Sequence, residues 1–333
     1  MSSTPSRQRT AAPTSSLQLV SSIALLAILA LFPMFGLGDY WQGVIITSLY
    51  LAILALGWNL LSGYTGLFSL APAGFAMVGA YVPALLWTYG HVPSVYGIAL
   101  GFVVTTILGL VVGFLTLRLT GPYLALTTLG LAEIVRLIAL SSFEITRGEM
   151  GLQNPPLFAD QSGYYYFFIL FVAFVVLGLH FFIQSRFGLY LRAIRNDEIG
   201  ARARGVRTVF WKVFAFSVSS GLSGLAGAVF GHYVVIVSPS LGHLFVTSDV
   251  ISMVIIGGMG TLIGPLLGAI MVHVSSEFLR AAGDLQHIVF ALLLIVFARF
   301  CREGIVGRLA AMTYRRAERK VRPPVSEKAA AAP

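Results

Sequence analysis

"VIITSLYLAILALGWNLL", residues 44–61, runs for eighteen residues without a single charge. A soluble core helix seldom needs so long an unbroken apolar stretch, whereas a helix crossing a bilayer needs roughly 17–25 such residues. The run does not stand alone. Residues 19–35, 96–117, 123–140, 165–182 and 209–237 are apolar on the same scale. Across all 333 residues, 57% are hydrophobic and 11% charged. Soluble domains carry about a quarter charged residues, so much of this surface faces something other than water. Length alone suggests two domains, but that rule does not apply to a polytopic membrane protein. One all-α membrane domain is expected, with about 8–10 transmembrane helices and broken or re-entrant segments among them.

A net charge of +9 would suit a nucleic-acid partner, but its distribution points to membrane lipid and to topology instead. Arg7 and Arg9 precede the first apolar run, a basic group follows Ser185, and residues 302–328 form a basic tail. Basic residues gathered in the loops of one side mark the cytoplasmic face. With the N-terminus inside and each run crossing once, Arg118 falls inside. The loop 143–163, with Glu144, Glu149 and Asp160 against Arg147, falls outside. The basic stretch after Ser185 falls inside again. Simple counting then puts the tail outside, against the rule. The segment 249–277, "DVISMVIIGGMGTLIGPLLGAIMVHVSSE", resolves this if its central glycines and Pro265 split it into two pieces. Both termini are then cytoplasmic.

The first run follows two arginines as in a signal peptide, but no small-x-small cleavage site follows it, so an uncleaved span is expected. Residues 1–18, rich in Ser, Thr and Pro, are expected to be a disordered cytoplasmic arm. Residues 19–300 form the membrane domain, with a charged loop at 185–208, and 301–333 a basic cytoplasmic tail. The one cysteine, Cys301, excludes an internal disulfide.

A second interrupted segment is "SGYTGLFSLAPAGFAMVGAY", residues 62–81, where Gly63, Gly66, Pro72 and Gly74 disturb a helix. Transporters often carry one broken helix in each half, with the solute between them. Gly63, Gly66, Pro72, Gly257, Gly258 and Gly260 are therefore candidate pathway residues. The alternative is close helix packing through small residues, which suits Gly260, Gly264 and Gly268, or Gly227 and Gly231.

The charged stretch "LRAIRNDEIGARARGVRT", residues 191–208, reads as a short helix from Asp197 to Arg204. Asn196 caps it, Asp197 and Glu198 oppose the positive end of its dipole, Arg202 and Arg204 suit the other end, and Gly205 stops it. Ile194, Glu198 and Ala201 share one face. Such a helix suits a groove on another protein.

"RAIRNDEIGARARGV" resembles the cytoplasmic loop of ATP-binding-cassette (ABC) importer permeases of the branched-chain amino-acid family, LivM-type subunit. "SGYTGLFSLAPAGFAMVGAY", "GPYLALTTLGLAEIVRL", "TRGEMGLQNPP" and "VIIGGMGTLIGPLLGA" extend the likeness over most of residues 55–275. The resemblance implies that the loop is a coupling helix, with Arg195, Asp197, Glu198, Ala201 and Gly205 at positions that dock on a cytoplasmic ATPase. It also implies a sister permease, two ATPases, an extracytoplasmic solute-binding protein and a bacterial plasma (inner) membrane. Gly200, where the family commonly has alanine, should loosen the helix by ~1 kcal/mol.

The chain carries no cofactor signature of its own. None of its three lysines, Lys212, Lys320 and Lys328, follows a glycine, so a phosphate loop for ATP is absent. An energy source would reside in partner chains that bind the ATP. An ion-driven secondary transporter is the rival reading, although acids within spans are few. Glu133 and Arg136 lie three apart in a span and can pair on one helix face. Such a pair is either a structural pin or a functional charge. His180, His232 and His273 lack the spacing of a metal site, and no catalytic constellation points to an enzyme. "TRGEMGLQ", residues 146–153, is either a receiving surface for a binding protein or an ordinary outer loop.

Overall fold

A computed structural model describes residues 15–35, 38–116, 119, 121–280 and 304–308. It is helical nearly throughout. In chain order the helices are α1 (Ser15–Leu31), α2 (Asp39–Thr65), α3 (Pro72–Gly90), α4 (Ser94–Thr116), α5 (Pro122–Ser141), the single turn α6 (Phe143–Thr146), α7 (Gln161–Gln184), α8 (Arg186–Asn196), α9 (Glu198–Ala203), α10 (Thr208–Val234), α11 (Leu244–Gly257) and α12 (Ile263–Leu279). Five of these, α2, α4, α5, α7 and α10, are long and apolar enough to cross a membrane, and α1, α11 and α12 are shorter apolar helices. The expected all-α polytopic membrane architecture is the one observed. One two-residue antiparallel ladder, Leu152–Gln153 against Ile236–Val237, joins two loops.

Helix α2 is the axis of the bundle. Its 27 residues reach about 40 Å at ~1.5 Å per residue. It packs against α7, α10, α11 and α12, and from Ser48 to Thr65 every residue is buried. Around it, α3, α4 and α10 pack on one another through small residues. A Cβ on Gly227 would lie 2.8 Å from the Ala76 Cα, and one on Gly101 would lie 3.0 Å from the Gly79 carbonyl oxygen. Hydroxyls add bonds between helices, Ser219 to the Gly57 carbonyl at 2.8 Å and Ser217 to that of Thr106 at 2.7 Å.

The helix ends sort into two groups. The start of α1, the end of α2 and the α11–α12 turn meet at one end, where Gln18 accepts from the Leu262 amide at 3.0 Å and Asn59 donates to Thr261 at 2.7 Å. The end of α1, the start of α2, the start of α7 and the end of α12 meet at the other, through Tyr165 on the Leu29 carbonyl (2.6 Å), Gln161 on that of Asp39 (2.5 Å) and Tyr40 on Glu277. The first group also carries α8, α9 and their arginines, and is called the charged end below. The second carries the loop 142–160 and is called the loop end.

Three expectations need correction. The arm assigned to residues 1–18 loses its last part, because α1 begins at Ser15 and Gln18 is buried. The segment 62–81 is not one disturbed helix but the end of α2, a loop and the start of α3. Gly63 lies inside α2, Gly74 inside α3, and the interruption is the loop from Gly66, the left-handed cap of α2, to Pro72 in the first turn of α3. Gly260 is not a packing glycine but stands in a turn at φ +82°. The segment 249–277 does split as expected, at residues 258–262, into α11 and α12, which pack against each other. Residues 1–14 of the arm, Arg118, Cys301 and the basic tail apart from 304–308 lie outside the described residues.

Candidate functional site: the charged end

The charged stretch folds as two helices. Ser185 opens α8 by accepting from the Phe187 amide at 3.2 Å. Gly188, Leu191 and Ile194, three apart, turn inward and are buried, which fixes α8 along the base of the bundle. Asp197 then breaks the helix with extended backbone and caps α9, accepting from the Gly200 amide at 3.0 Å. The cap is thus Asp197 and not Asn196, which closes α8. A preceding helix had already claimed Asn196, so α9 is shorter than the expected span from Asp197 to Arg204.

The end of α9 follows the expected chemistry. The Gly205 amide bonds to the Arg202 carbonyl at 3.0 Å and the Val206 amide to that of Ala201 at 3.1 Å. This is the Schellman pattern, and it needs a residue at positive φ between the two bonds. Gly205 supplies it at φ +82°, at a position costly for a side chain with a Cβ.

Of the five residues singled out in the sequence, Glu198 and Ala201 turn toward the protein itself, while Arg195, Asp197 and Gly205 remain exposed. Arg195 donates through Nη1 to the Gly63 carbonyl. Glu198 bonds to Lys212, at the root of α10, at 2.5 Å and to Arg202 at 3.3 Å. Ala201 is buried, Asp197 caps and Gly205 stops. The face shared by Ile194, Glu198 and Ala201 therefore packs on the chain's own helices. Burial pushes the Glu198 carboxyl up, but the Lys212 ammonium and then Arg202 outweigh it and hold it below the ordinary carboxylate range. What α9 turns outward is Ile199, 82% exposed, ringed by exposed Arg202, Ala203 and Arg204. Sequence reasoning missed Ile199 by weighing the charges and the small residues of this stretch alone.

Beneath α8 the two interrupted segments meet. Asn59, 2% exposed, donates to the Thr261 carbonyl and accepts from the Gly260 amide, both at 2.7 Å. Its amide thereby pairs with the turn as a strand would. A Cβ on Gly63 would sit 2.8 Å from the Gly260 amide nitrogen, and one on Gly66 would sit 3.4 Å from the Arg195 Cγ. Gly63, Gly66 and Gly260 thus come together with Arg195. Gly257 packs instead on the first turn of α12, since Gly264 approaches the Gly257 carbonyl carbon within 3.0 Å of where its own Cβ would lie. Pro72 opens α3 beyond the loop. Of the six candidate pathway residues, Gly63, Gly66, Gly257, Gly258 and Gly260 therefore sit at the charged end, whereas the loop to Pro72 turns back into the bundle, with Trp58 Nε1 donating to the Ser69 carbonyl at 2.7 Å and the Leu70 amide to the Thr128 hydroxyl of α5 at 2.9 Å. Residues 304–308 return to the charged end, where a Cβ on Gly304 would crowd Gly258.

The Glu133–Arg136 pair forms on α5 as its spacing requires, with Arg136 Nε 2.9 Å and 3.1 Å from the two carboxylate oxygens. It lies toward the loop end, on a helix mostly uncovered by the rest of the bundle. "TRGEMGLQ" is an ordered turn: Thr146 bonds back to the Ala139 carbonyl at 2.5 Å, Gly148–Met150 form a 3-10 turn, and Leu152–Gln153 enter the ladder.

A model of the family described as branched-chain amino acid transport system, permease component, matches residues 40–298. The chain belongs to that family. Individual relatives agree. It is 30% identical over 322 residues to the high-affinity branched-chain amino acid transport system permease protein LivM of Escherichia coli (strain K12), covering 85% of this chain and 74% of the relative. It is 30% identical over 178 residues to the probable branched-chain amino acid transport permease protein LivM of Methanocaldococcus jannaschii, covering 51% and 50%. With the E. coli protein LivH of the same named system it shares 24% over 300 residues, 83% of this chain and 96% of that one. No solved structure matches the chain. The protein is accordingly a multi-pass membrane permease of the ABC-transporter class, and the relatives' names describe transport subunits rather than enzymes.

Proposed function

We propose that this permease is the membrane subunit of an importer of branched-chain or related amino acids, driven by ATP that other chains hydrolyse. The charged end is cytoplasmic, as are both termini, and the loop end faces outward in a bacterial inner membrane. A sister permease completes the solute pathway, two ATPases bind the charged ends, and a solute-binding protein delivers cargo at the loop end. The similarity to both LivM and LivH supports two kinds of permease in such a system.

The observation that carries the reading is Ile199. A soluble-facing isoleucine that is 82% exposed, on a six-residue helix capped at both ends, is a knob held ready for a groove. Apolar anchors ringed by arginine are what protein interfaces bury at their centre. The positive-inside rule supports the sidedness. An ion-driven mechanism finds little support, since Glu133 is neutralised by its own neighbour Arg136.

The test is Ile199→Glu in the full system. Loss of the anchor should cut co-purification of the ATPases by about tenfold or more, the equivalent of ~1.4 kcal/mol, with permease yield unchanged. Undiminished co-purification and uptake would refute docking through α9.

A further inference from the structure

The knob is useful only if its displacement reaches the bundle, and one side chain stands where that transfer would occur. Arg192 ties α8 back to the Ile183 carbonyl of α7 at 2.7 Å, whereas Arg195 reaches α2 and bonds to the carbonyl of Gly63, two residues before the end of that helix. The same guanidinium nitrogen stands 3.0 Å from where a Cβ of Gly260 would be. A side chain at that position would strike the guanidinium, and the turn's φ of +82° independently calls for glycine. One turn back along α2, Asn59 grips the same turn with both ends of its amide. The turn is also held from outside by the Leu262 amide on Gln18 of α1, by the Ser62 hydroxyl on Met259 Sδ at 4.0 Å and by Gly304 packed on Gly258; its own bond, Thr261 to the Gly258 carbonyl at 2.8 Å, is internal.

From this geometry we infer that Arg195 and Asn59 form a single joint, through which movement of the α8–α9 lobe is passed both to α2 and to the α11–α12 hairpin. Arg195 is thus a positioning residue on the permease side of the coupling element, not a contact of the ATPase. The inference rests on the docking reading above for its function, but the joint itself is a property of this chain. Its mechanics follow from what each partner can do. Helix α2 is buried on all sides and moves only as a rod. The hairpin consists of two helices of 14 and 17 residues, about 21 and 26 Å long at ~1.5 Å per residue, and pivots on a glycine turn. Pulling the Gly63 carbonyl displaces the rod. Asn59 makes the hairpin follow, because its amide cannot release the turn without leaving buried polar groups unpaired.

Two readouts separate the joint from the docking surface. The first is the ATP consumed per solute imported by the assembled transporter. Arg195→Ala should keep the ATPases bound and hydrolysing while uptake falls about tenfold. Arg195→Lys, which keeps a donor for the Gly63 carbonyl, should recover part of it. Adding Asn59→Leu to Arg195→Ala should cost little more, since contacts in one network are not additive. Loss of the ATPases on Arg195→Ala would make Arg195 a docking residue and overturn the inference. So would full uptake, or independent additive effects of the two substitutions.

The second readout needs no ATPase. A nitroxide at Met259→Cys in a Cys301→Ser chain sits on the exposed side of the turn. Arg195→Ala should raise its mobility in the purified permease, whereas Ile199→Glu should not. A signal unmoved by Arg195→Ala contradicts the joint even if docking through α9 stands, and a mobilised signal supports it even if docking fails.

Discussion

Helices α10 and α4 invert the rule that holds in water. Of the five long spans α10 is the least apolar and α4 among the most, yet most of α10 is buried and most of α4 is not. The apolar side chains of α4, among them Leu100, Val103, Ile107, Leu110 and Phe114, point away from the bundle. Helix α10 buries Ser217, Ser219, Ser220, Ser223, Gly224 and Gly227 instead. In lipid there is no hydrophobic reward for bringing helices together, so close approach and hydrogen bonds decide which helix is central. Between α4 and α10, small and hydroxylated residues rather than apolarity mark contact with protein, whereas the central α2 is both apolar and buried.

The sharpest test of this contrast is a matched pair of glycines. Gly227 on α10 faces the backbone of α3 at Ala76, while Gly130 on α5 has nothing within 4 Å of the place a Cβ would occupy. Gly227→Leu should force α3 and α10 apart, costing 1–3 kcal/mol or more by analogy with overpacked cores. Gly130→Leu should be close to neutral. Thermal unfolding in detergent reads both, and equal effects would break the comparison.

A smaller contrast uses hydroxyls. Ser219 bonds across to α2, whereas Thr127, half-buried on α5, bonds to the Tyr123 carbonyl of its own helix at 2.8 Å. Ser219→Ala should cost about 0.6 kcal/mol, up to ~1.7, and Thr127→Ala should leave the same melting curve unchanged.

The smallest effect is expected where solvent screens the interaction. The Glu198–Lys212 contact fastens α9 to α10, and Glu198 remains a third exposed. Because its carboxyl is held below the ordinary range in the folded chain, its contribution is fully present above that range. It is lost only as pH falls through the lowered folded value. The protection of the α9 amides, taken relative to the intrinsic exchange rate at each pH, should be flat between pH 7 and about pH 6 and fall only in acid, while Glu198→Gln should remove that acid dependence.

Much of the architecture is legible before any coordinates. Six apolar runs gave the main spans, the charge parity of the loops called for a split within residues 249–277, and the Gly205 stop and the Glu133–Arg136 pair follow from local rules. These features depend on neighbours within about four residues. The failures are long-range. Nothing local says that Glu198 pairs with Lys212, fourteen residues on, or that Asn59 meets Gly260 two hundred residues away. Helix α8 was obscured because its inward set, Gly188, Leu191 and Ile194, is small and sits among arginines. Asn59 did carry a signal, a lone amide in an otherwise apolar span, which is costly unless it has a partner. The glycine breaks pointed to a real meeting place at the charged end and to a loop that turns back to bond with Trp58 of α2 and Thr128 of α5.

The central claim is that α9 is a cytoplasmic handle for a separate motor. It is tested most directly by Ile199→Cys in a Cys301→Ser background, probed with a membrane-impermeant maleimide in oriented vesicles. The cysteine should react only from the cytoplasmic face, and purified ATPases should protect it. Reaction from the outer face, or equal reaction with and without ATPases, would contradict the account.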